Sequence, residues 1–198
     1  MEQTDFSSNR IRHCNLSDLF KESIMGRRYD RLYSRFVELV NINPHDCVLE
    51  LRWHTKACAF KLLPKAPAAV FSVDAGEAPS LCLPERVINP SHDAVHAFPL
   101  ADGSMDVMTA FKVYNRLVNK RAFRSEAYRV LKPNGKLYVC ELQSCRWRRK
   151  MRNALLRLWS FDLRLCDTKD MKAEFTGMGF RFVEEAPIGH MRMLVFQK

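Results

Sequence analysis

The chain has 198 residues, 47% of them hydrophobic, the size and apolar content of one globular domain with no second core. Lysine and arginine number 32 against 22 aspartate and glutamate, and the net charge of +10 favours an acidic partner: RNA, an anionic membrane surface or an acidic protein. No apolar run approaches the roughly 18–20 residues that cross a bilayer, and residues 1–15 hold no apolar leader core, so the expected compartment is the cytoplasm, with peripheral membrane contact left open.

In chain order, Leu19 to Val40 reads as a helix with an apolar stripe at Leu32, Phe36, Leu39 and Val40, stopped by Asn41-Ile42-Asn43-Pro44. Short apolar runs then recur at Cys47 to Leu51, Ala68 to Val73, Arg86 to Ile88, Asp106 to Phe111 and Lys136 to Cys140. Helix-compatible stretches at Ala57 to Leu63, Ala75 to Leu83 and Lys120 to Leu131 lie between them. Nearly uniform apolar strands separated by helices predict a parallel sheet covered on both faces. A basic segment follows Glu141, then a helix over Thr168 to Thr176 that ends at Gly177-Met178-Gly179. Phe180 to Glu184 and Met191 to Gln197 close the chain as a hairpin, which makes one edge of the sheet antiparallel.

Seven cysteines (Cys14, Cys47, Cys58, Cys82, Cys140, Cys145 and Cys166) form no C-x-x-C pair, and the odd count fits a reducing compartment. Several fall in strands, where they serve as small core residues. His92, Asp93 and His96 have the spacing of a metal pair, but they stand in a loop without further ligands, so no metal is expected.

Val48-Leu49-Glu50-Leu51 runs directly into Arg52-Trp53-His54-Thr55-Lys56, where a strand-to-helix turn that cradles a nucleotide carries G-x-G-x-G. Such a turn needs positive φ angles and a backbone without Cβ atoms against the ligand. Arg52, His54 and Lys56 put side chains where the ligand would lie, and a positive φ would cost each about 1 kcal/mol or more. The same cationic turn at a helix N-terminus suits an anion such as phosphate; otherwise Arg52 and Lys56 point to solvent and Trp53 packs into the vacated space.

Two further stretches carry a family resemblance. Phe98-Pro99-Leu100-Ala101-Asp102-Gly103-Ser104-Met105-Asp106-Val107-Met108 is similar to the L-P-F-P-D-x-S-F-D-V-V that leads into strand four of the class I S-adenosylmethionine-dependent methyltransferases, nearest to the ubiquinone/menaquinone-biosynthesis type. Glu126-Ala127-Tyr128-Arg129-Val130-Leu131-Lys132-Pro133-Asn134-Gly135-Lys136-Leu137 resembles their E-x-x-R-V-L-K-P-G-G-x-L before strand five. The likeness spans roughly residues 29–198. It implies an α/β Rossmann-like methyltransferase sandwich in one domain: a mostly parallel seven-stranded sheet with a C-terminal antiparallel hairpin, N-terminal helices over residues 1–45 and a basic helical insertion over 143–166. Both motifs report the fold more than the chemistry. In the second, Lys132-Pro133-Asn134-Gly135 ends a helix with a residue that cannot continue it and offers Asn or Gly for a left-handed position.

The resemblance also implies which residues a bound S-adenosylmethionine would meet: Glu50, Arg52, His54, Asp74, Ala75, Asp93 and Lys112. Asp74 lies 22 positions beyond Arg52, near the roughly 20 expected for an acid that accepts from ribose hydroxyls. It also suits the N-cap of a helix beginning at Ala75. Only 19 positions separate Asp74 from Asp93, and Pro79 and Pro84 interrupt them, so the adenine-side helix must be short. Tyr114 and Asn115 follow strand four, where residues facing a substrate sit in open α/β sheets.

The segment from Gln143 to Leu165 carries most of the charge. Arg146, Arg148, Arg149, Lys150, Arg152, Arg157 and Arg164 oppose Asp162 alone, while Trp147, Met151, Leu155, Leu158 and Trp159 recur at helical spacing. Such a helix suits an anionic membrane. It equally suits RNA, with arginines on phosphates and tryptophans stacking, or a place as a helical lid on the chain's own sheet. The partner-binding residues expected are Arg146, Trp147, Arg148, Arg149, Lys150, Arg152 and Trp159. The leading expectation is a methyltransferase-like chain with an eroded cofactor turn that binds an anionic partner without catalysing methylation. The alternatives are an active methyltransferase on a small or membrane-associated acceptor, which needs alignment of donor and acceptor more than a dedicated base, and an RNA-binding module.

Overall fold

A computed structural model describes residues 30–52, 61–65, 67–74, 87–88, 98, 100–117, 119–142 and 166–198. The elements among them are helix α1 (residues 30–39), β1 (Cys47–Arg52), β2 (Ala69–Asp74), β3 (Val87–Ile88), β4 (Met105–Phe111), α2 (Lys120–Val130), β5 (Leu131–Leu142), α3 (Thr168–Thr176), β6 (Arg181–Ile188) and β7 (Met191–Gln197). The seven strands form one sheet in the order β3-β2-β1-β4-β5-β7-β6, with β3 only two residues long. Strands β1 to β5 pair in parallel, and β7 runs antiparallel to both β5 and β6. The mostly parallel sheet with its C-terminal hairpin is therefore as the sequence predicts. The basic segment from Gln143 to Leu165, most of the Ala57 to Leu63 stretch, Ala75 to Leu83 and the His92 to His96 loop lie outside the described residues.

Alternation along the strands divides the core in two. Val48, Val70, Val107, Phe111, Tyr138, Cys140 and Met193 pack with Tyr33, Phe36, Val37 and Val40 of α1 and its C-terminal end. Leu49, Leu51, Val73, Met108, Ala110, Leu137, Val139, Leu194 and Phe196 pack with Phe123, Ala127 and Val130 of α2 and with Met171 and Phe175 of α3. Both faces are sealed, as the uniformly apolar strands require. The aromatic centre of the second face is the Phe175 ring stacked 4.4 Å from that of Phe196. Burial of each such side chain stabilises the fold by about 1.5–3 kcal/mol. Cys47 and Cys140 are the strand cysteines among the described residues; Cys140 is fully buried and acts as a small core residue.

Three boundaries differ from the sequence reading in ways that bear on the site, the rest by a residue or two. Strand β5 starts at Leu131, because Leu131 pairs with Met105 before Lys132-Pro133-Asn134-Gly135 bulges out and pairing resumes at Val107 with Lys136. Within the bulge Asn134 takes the left-handed position at φ 67, and Gly135 is where a Cβ would stand 2.9 Å from the Lys132 carbonyl oxygen. Strand β6 continues to Ile188, through Pro187, which an edge strand tolerates because one side of its ladder is unpaired. Arg52, expected in the turn, is the last residue of β1 and the register partner of Asp74.

The two long motifs hold each other. Arg129 donates to both Glu126 oxygens, to Asp102 and to the carbonyls of Phe98 and Leu100, and the Phe98 amide donates to Glu126. The hydrogen bonds from Arg129 hold Glu126 below the ordinary carboxylate range. Lys132 pairs with Asp106, whose other contact is the Cys47 amide of β1. The conspicuous motifs are thus a clasp joining α2, β4 and β1.

Candidate functional site

In a parallel α/β sheet ligands bind beyond the carboxyl ends of the strands, at the point where the strand order reverses. Here that point lies between β1 and β4, whose carboxyl ends carry Glu50 to Arg52 and Phe111 to Lys112. Of the residues expected there, Glu50 is 2% exposed. Its Oε1 accepts from the Tyr33 hydroxyl at 2.6 Å and its Oε2 from the Ser72 hydroxyl at 2.9 Å. Tyr33 comes from α1, and Ser72 is the β2 register partner of Glu50. On the other side Glu50 is in register with Thr109, whose buried hydroxyl has no hydrogen-bond partner among the described residues. A polar row from Ser72 through Glu50 to Thr109 therefore crosses an otherwise apolar layer.

Helix α1 is held over this row by ionic contacts as well. Lys61 donates to Asp30 at 2.5 Å and to the Ser34 hydroxyl at 2.9 Å, and Lys65 donates to the Val40 carbonyl oxygen. Burial, only partly offset by Glu38, lowers the Lys65 pKa. Glu50 thus ties α1 to β1, and Lys61 and Lys65 tie it to the segment 61–65.

Lys112 follows β4 with φ 59, a left-handed conformation uncommon for a residue with a side chain, and its amide donates to the Cys140 carbonyl oxygen at 2.8 Å. Arg52 and Asp74 are side by side at the ends of β1 and β2. His54, Ala75 and Asp93 lie outside the described residues, as do Arg146, Trp147, Arg148, Arg149, Lys150, Arg152 and Trp159. The strand topology brings Glu50, Arg52, Asp74 and Lys112 to one edge of the sheet.

Tyr114 and Asn115 are buried and bonded to protein groups. Tyr114 is fully buried, and its hydroxyl lies 2.5 Å from Glu174 of α3 and 2.6 Å from Arg124 of α2, which in turn pair at 2.7 Å. Burial first, then the Glu174 carboxylate, pushes its ionisation far above the ordinary tyrosine range. Asn115 is 1% exposed; its amide and Nδ2 donate to the two oxygens of Glu141 at 3.1 and 2.8 Å, and its Oδ1 accepts from the Cys166 amide at 2.9 Å. Both side chains point inward because the 3-10 turn Tyr114–Arg116 folds them beneath the edge.

The sequence reading missed Glu141. It closes the carboxyl end of β5, and burial pushes its carboxyl up to about 7 despite the Asn115 and Leu142 amides. An acid directly after Leu137 to Cys140, on a strand whose neighbours are buried, was the available signal. No group of three histidine, cysteine, aspartate or glutamate side chains among the described residues could hold a metal ion.

Residues 56–139 match the family model described as a methyltransferase domain, so the match begins past β1 and Arg52 to Thr55. A chain from the complex between the Haloferax volcanii Trm112 methyltransferase activator and a methyltransferase is 13% identical, with a TM-score of 0.71 over 90% of this chain and 93% of that one. A Thermotoga maritima S-adenosylmethionine-dependent methyltransferase is 14% identical, with a TM-score of 0.62 over 92% of this chain and 96% of that one. The 4+2 cyclase SpnF is 14% identical, with a TM-score of 0.65 over 85% of this chain and 80% of that one. No curated protein matches the sequence.

Proposed function

From a methyltransferase-family fold, we propose that this chain is a non-catalytic binding or assembly factor whose S-adenosylmethionine site has eroded, and that its partner is a protein with an acidic surface. The observation that carries the first half is Glu50. Its carboxylate accepts hydroxyl hydrogen bonds from Tyr33 and Ser72, immediately before a turn that reads Arg-Trp-His-Thr-Lys in place of glycines. An edge satisfied from within, followed by side chains where a nucleotide needs bare backbone, does not fit the cofactor. The family model begins its match beyond this turn, and a solved relative of the same fold has a name that records cyclisation and not methyl transfer, so the fold by itself does not argue for the reaction.

The partner half rests on charge. The net charge of +10 is concentrated in Arg146, Arg148, Arg149, Lys150, Arg152, Arg157 and Arg164, interleaved with Trp147 and Trp159. Aromatic and arginine side chains together are the residues that dominate protein interfaces. The Haloferax relative, solved in complex with a protein activator, offers a precedent for a protein partner on this fold. The experiment is binding, at rising salt, to a polyglutamate peptide, to single-stranded RNA and to anionic vesicles in parallel. The proposal expects retention on polyglutamate that Arg148→Glu, Arg149→Glu and Lys150→Glu together abolish. Binding confined to RNA or vesicles would replace the acidic protein as partner, and binding to none would overturn the assignment.

A further inference from the structure

Lys120 opens α2 and Cys166 lies two residues ahead of α3, and the fold brings their side chains together. Lys120 Nζ donates to Cys166 Sγ across 2.8 Å. That separation is ordinary for N–H···O, and sulfur is the larger atom, so nitrogen and sulfur are in close approach. Both ends are held in place. The Cys166 amide is anchored on Asn115 Oδ1, itself fixed by Glu141, and Lys120 Nζ sits 5.2 Å from the centre of the Tyr114 ring. Both side chains are half-buried, within reach of a small oxidant. Cys140 offers a contrast: it is fully buried, and burial raises its thiol far above the usual range.

We propose that Lys120 and Cys166 are a redox cross-linking site, at which the amine captures the oxidised thiol as a sulfur–nitrogen bond, with a hydroperoxide as oxidant. The Cys166 sulfur attacks the terminal peroxide oxygen: the S–O bond forms, the O–O bond breaks, the alcohol of the hydroperoxide leaves (water, for hydrogen peroxide), and the residue is a sulfenic acid. Sulfur has given two electrons and the peroxide has taken them. Lys120 Nζ, its extra proton lost to solvent, then attacks Sγ. The S–N bond forms, the S–O bond breaks, and the hydroxyl leaves with a proton from nitrogen as water. A low-molecular-weight thiol reverses the link by attacking Sγ, which frees the amine and leaves a disulfide that a second thiol reduces.

The bond would have a structural consequence. Residues 143–165, which hold the basic partner-binding positions, connect Leu142 of β5 to Cys166. Joining Cys166 to the start of α2 fixes the point where that segment returns to the sheet, so oxidation acts on the same segment that the charge pattern assigns to partner binding.

The test treats the full chain with hydrogen peroxide, digests it with a glutamate-specific protease and maps it by mass spectrometry. The expected product is a linked pair of peptides containing Lys120 and Cys166, lighter by two hydrogens than their sum, released by dithiothreitol and absent after Lys120→Arg. Labelling of Cys166 by a sulfenic-acid trap should rise several-fold in Lys120→Arg, whose folding is checked by circular dichroism. A folded wild-type chain that yields Cys166 sulfenic or sulfinic acid with no linked pair overturns the proposal, as does equal trapping in both chains.

Discussion

Glu50 and Glu141 are both buried carboxylates at the carboxyl edge of one sheet, and they are satisfied in different ways. Glu50 takes hydroxyl donors from two separate elements, α1 and β2, and so fastens a helix to the sheet. Glu141 takes its donors from Asn115 and the end of its own strand, beneath a turn that also anchors Cys166. Glu50 lies just before the Arg-Trp-His-Thr-Lys stretch, whereas the two long motifs lie at the opposite, amino ends of β4 and β5, where Arg129 and Lys132 brace them. At those amino ends the Arg129 clasp braces α2 against the approach to β4, so substitutions there carry a stability cost. At the carboxyl end of β1, Glu50 and Leu51 stay in register with both β2 and β4.

The comparison is broken most severely at Glu50. Glu50→Ala removes the acceptor of two buried hydroxyl hydrogen bonds and should lower stability by about 3–4 kcal/mol in urea unfolding, with Tyr33→Phe costing about 1.5–3 kcal/mol. A change below 1 kcal/mol would mean that α1 is not fastened there. At the other end the signature is pH dependence. Folded Glu141 keeps its proton up to about 7, above the ordinary 4.5 that the unfolded chain is taken to have. The folded state therefore binds more protons in that window, and its stability, full below pH 4.5, falls by about 3 kcal/mol as pH rises through 7. Glu141→Gln should remove that slope between pH 4.5 and 7; an unchanged slope assigns it to another group.

Gly135→Ala sharpens the comparison within the two long motifs. Its Cβ would meet the Lys132 carbonyl at 2.9 Å and the Asp106 carbonyl at 3.2 Å, so thermal unfolding should show a loss of about 1–3 kcal/mol. The smallest effect belongs to Asp102→Ala. That side chain is 80% exposed where it meets Arg129, and its removal should cost no more than about 0.5 kcal/mol by the same measurement.

The strands were legible in the sequence because each is a short apolar run that alternates between two sealed faces. Pro133 and Asn134 announced the break before Lys136 for reasons of backbone conformation alone. The inward turn of Tyr114 and Asn115 was not legible. Position after a parallel strand places a residue at the edge without saying whether Glu141 or a ligand will take its donors. Nor was the contact of Lys120 with Cys166, which depends on how α2 and the return to α3 meet in space. Glu50 was located by resemblance, but its partners Tyr33 and Ser72 come from tertiary packing.

Calorimetric titration of the purified chain with S-adenosylmethionine and S-adenosylhomocysteine tests the central claim most directly. The account predicts no binding heat up to millimolar ligand, with binding appearing only after glycine is restored at positions 52, 54 and 56. Micromolar binding by the native sequence would contradict it and make the chain an active-site candidate for methyl transfer.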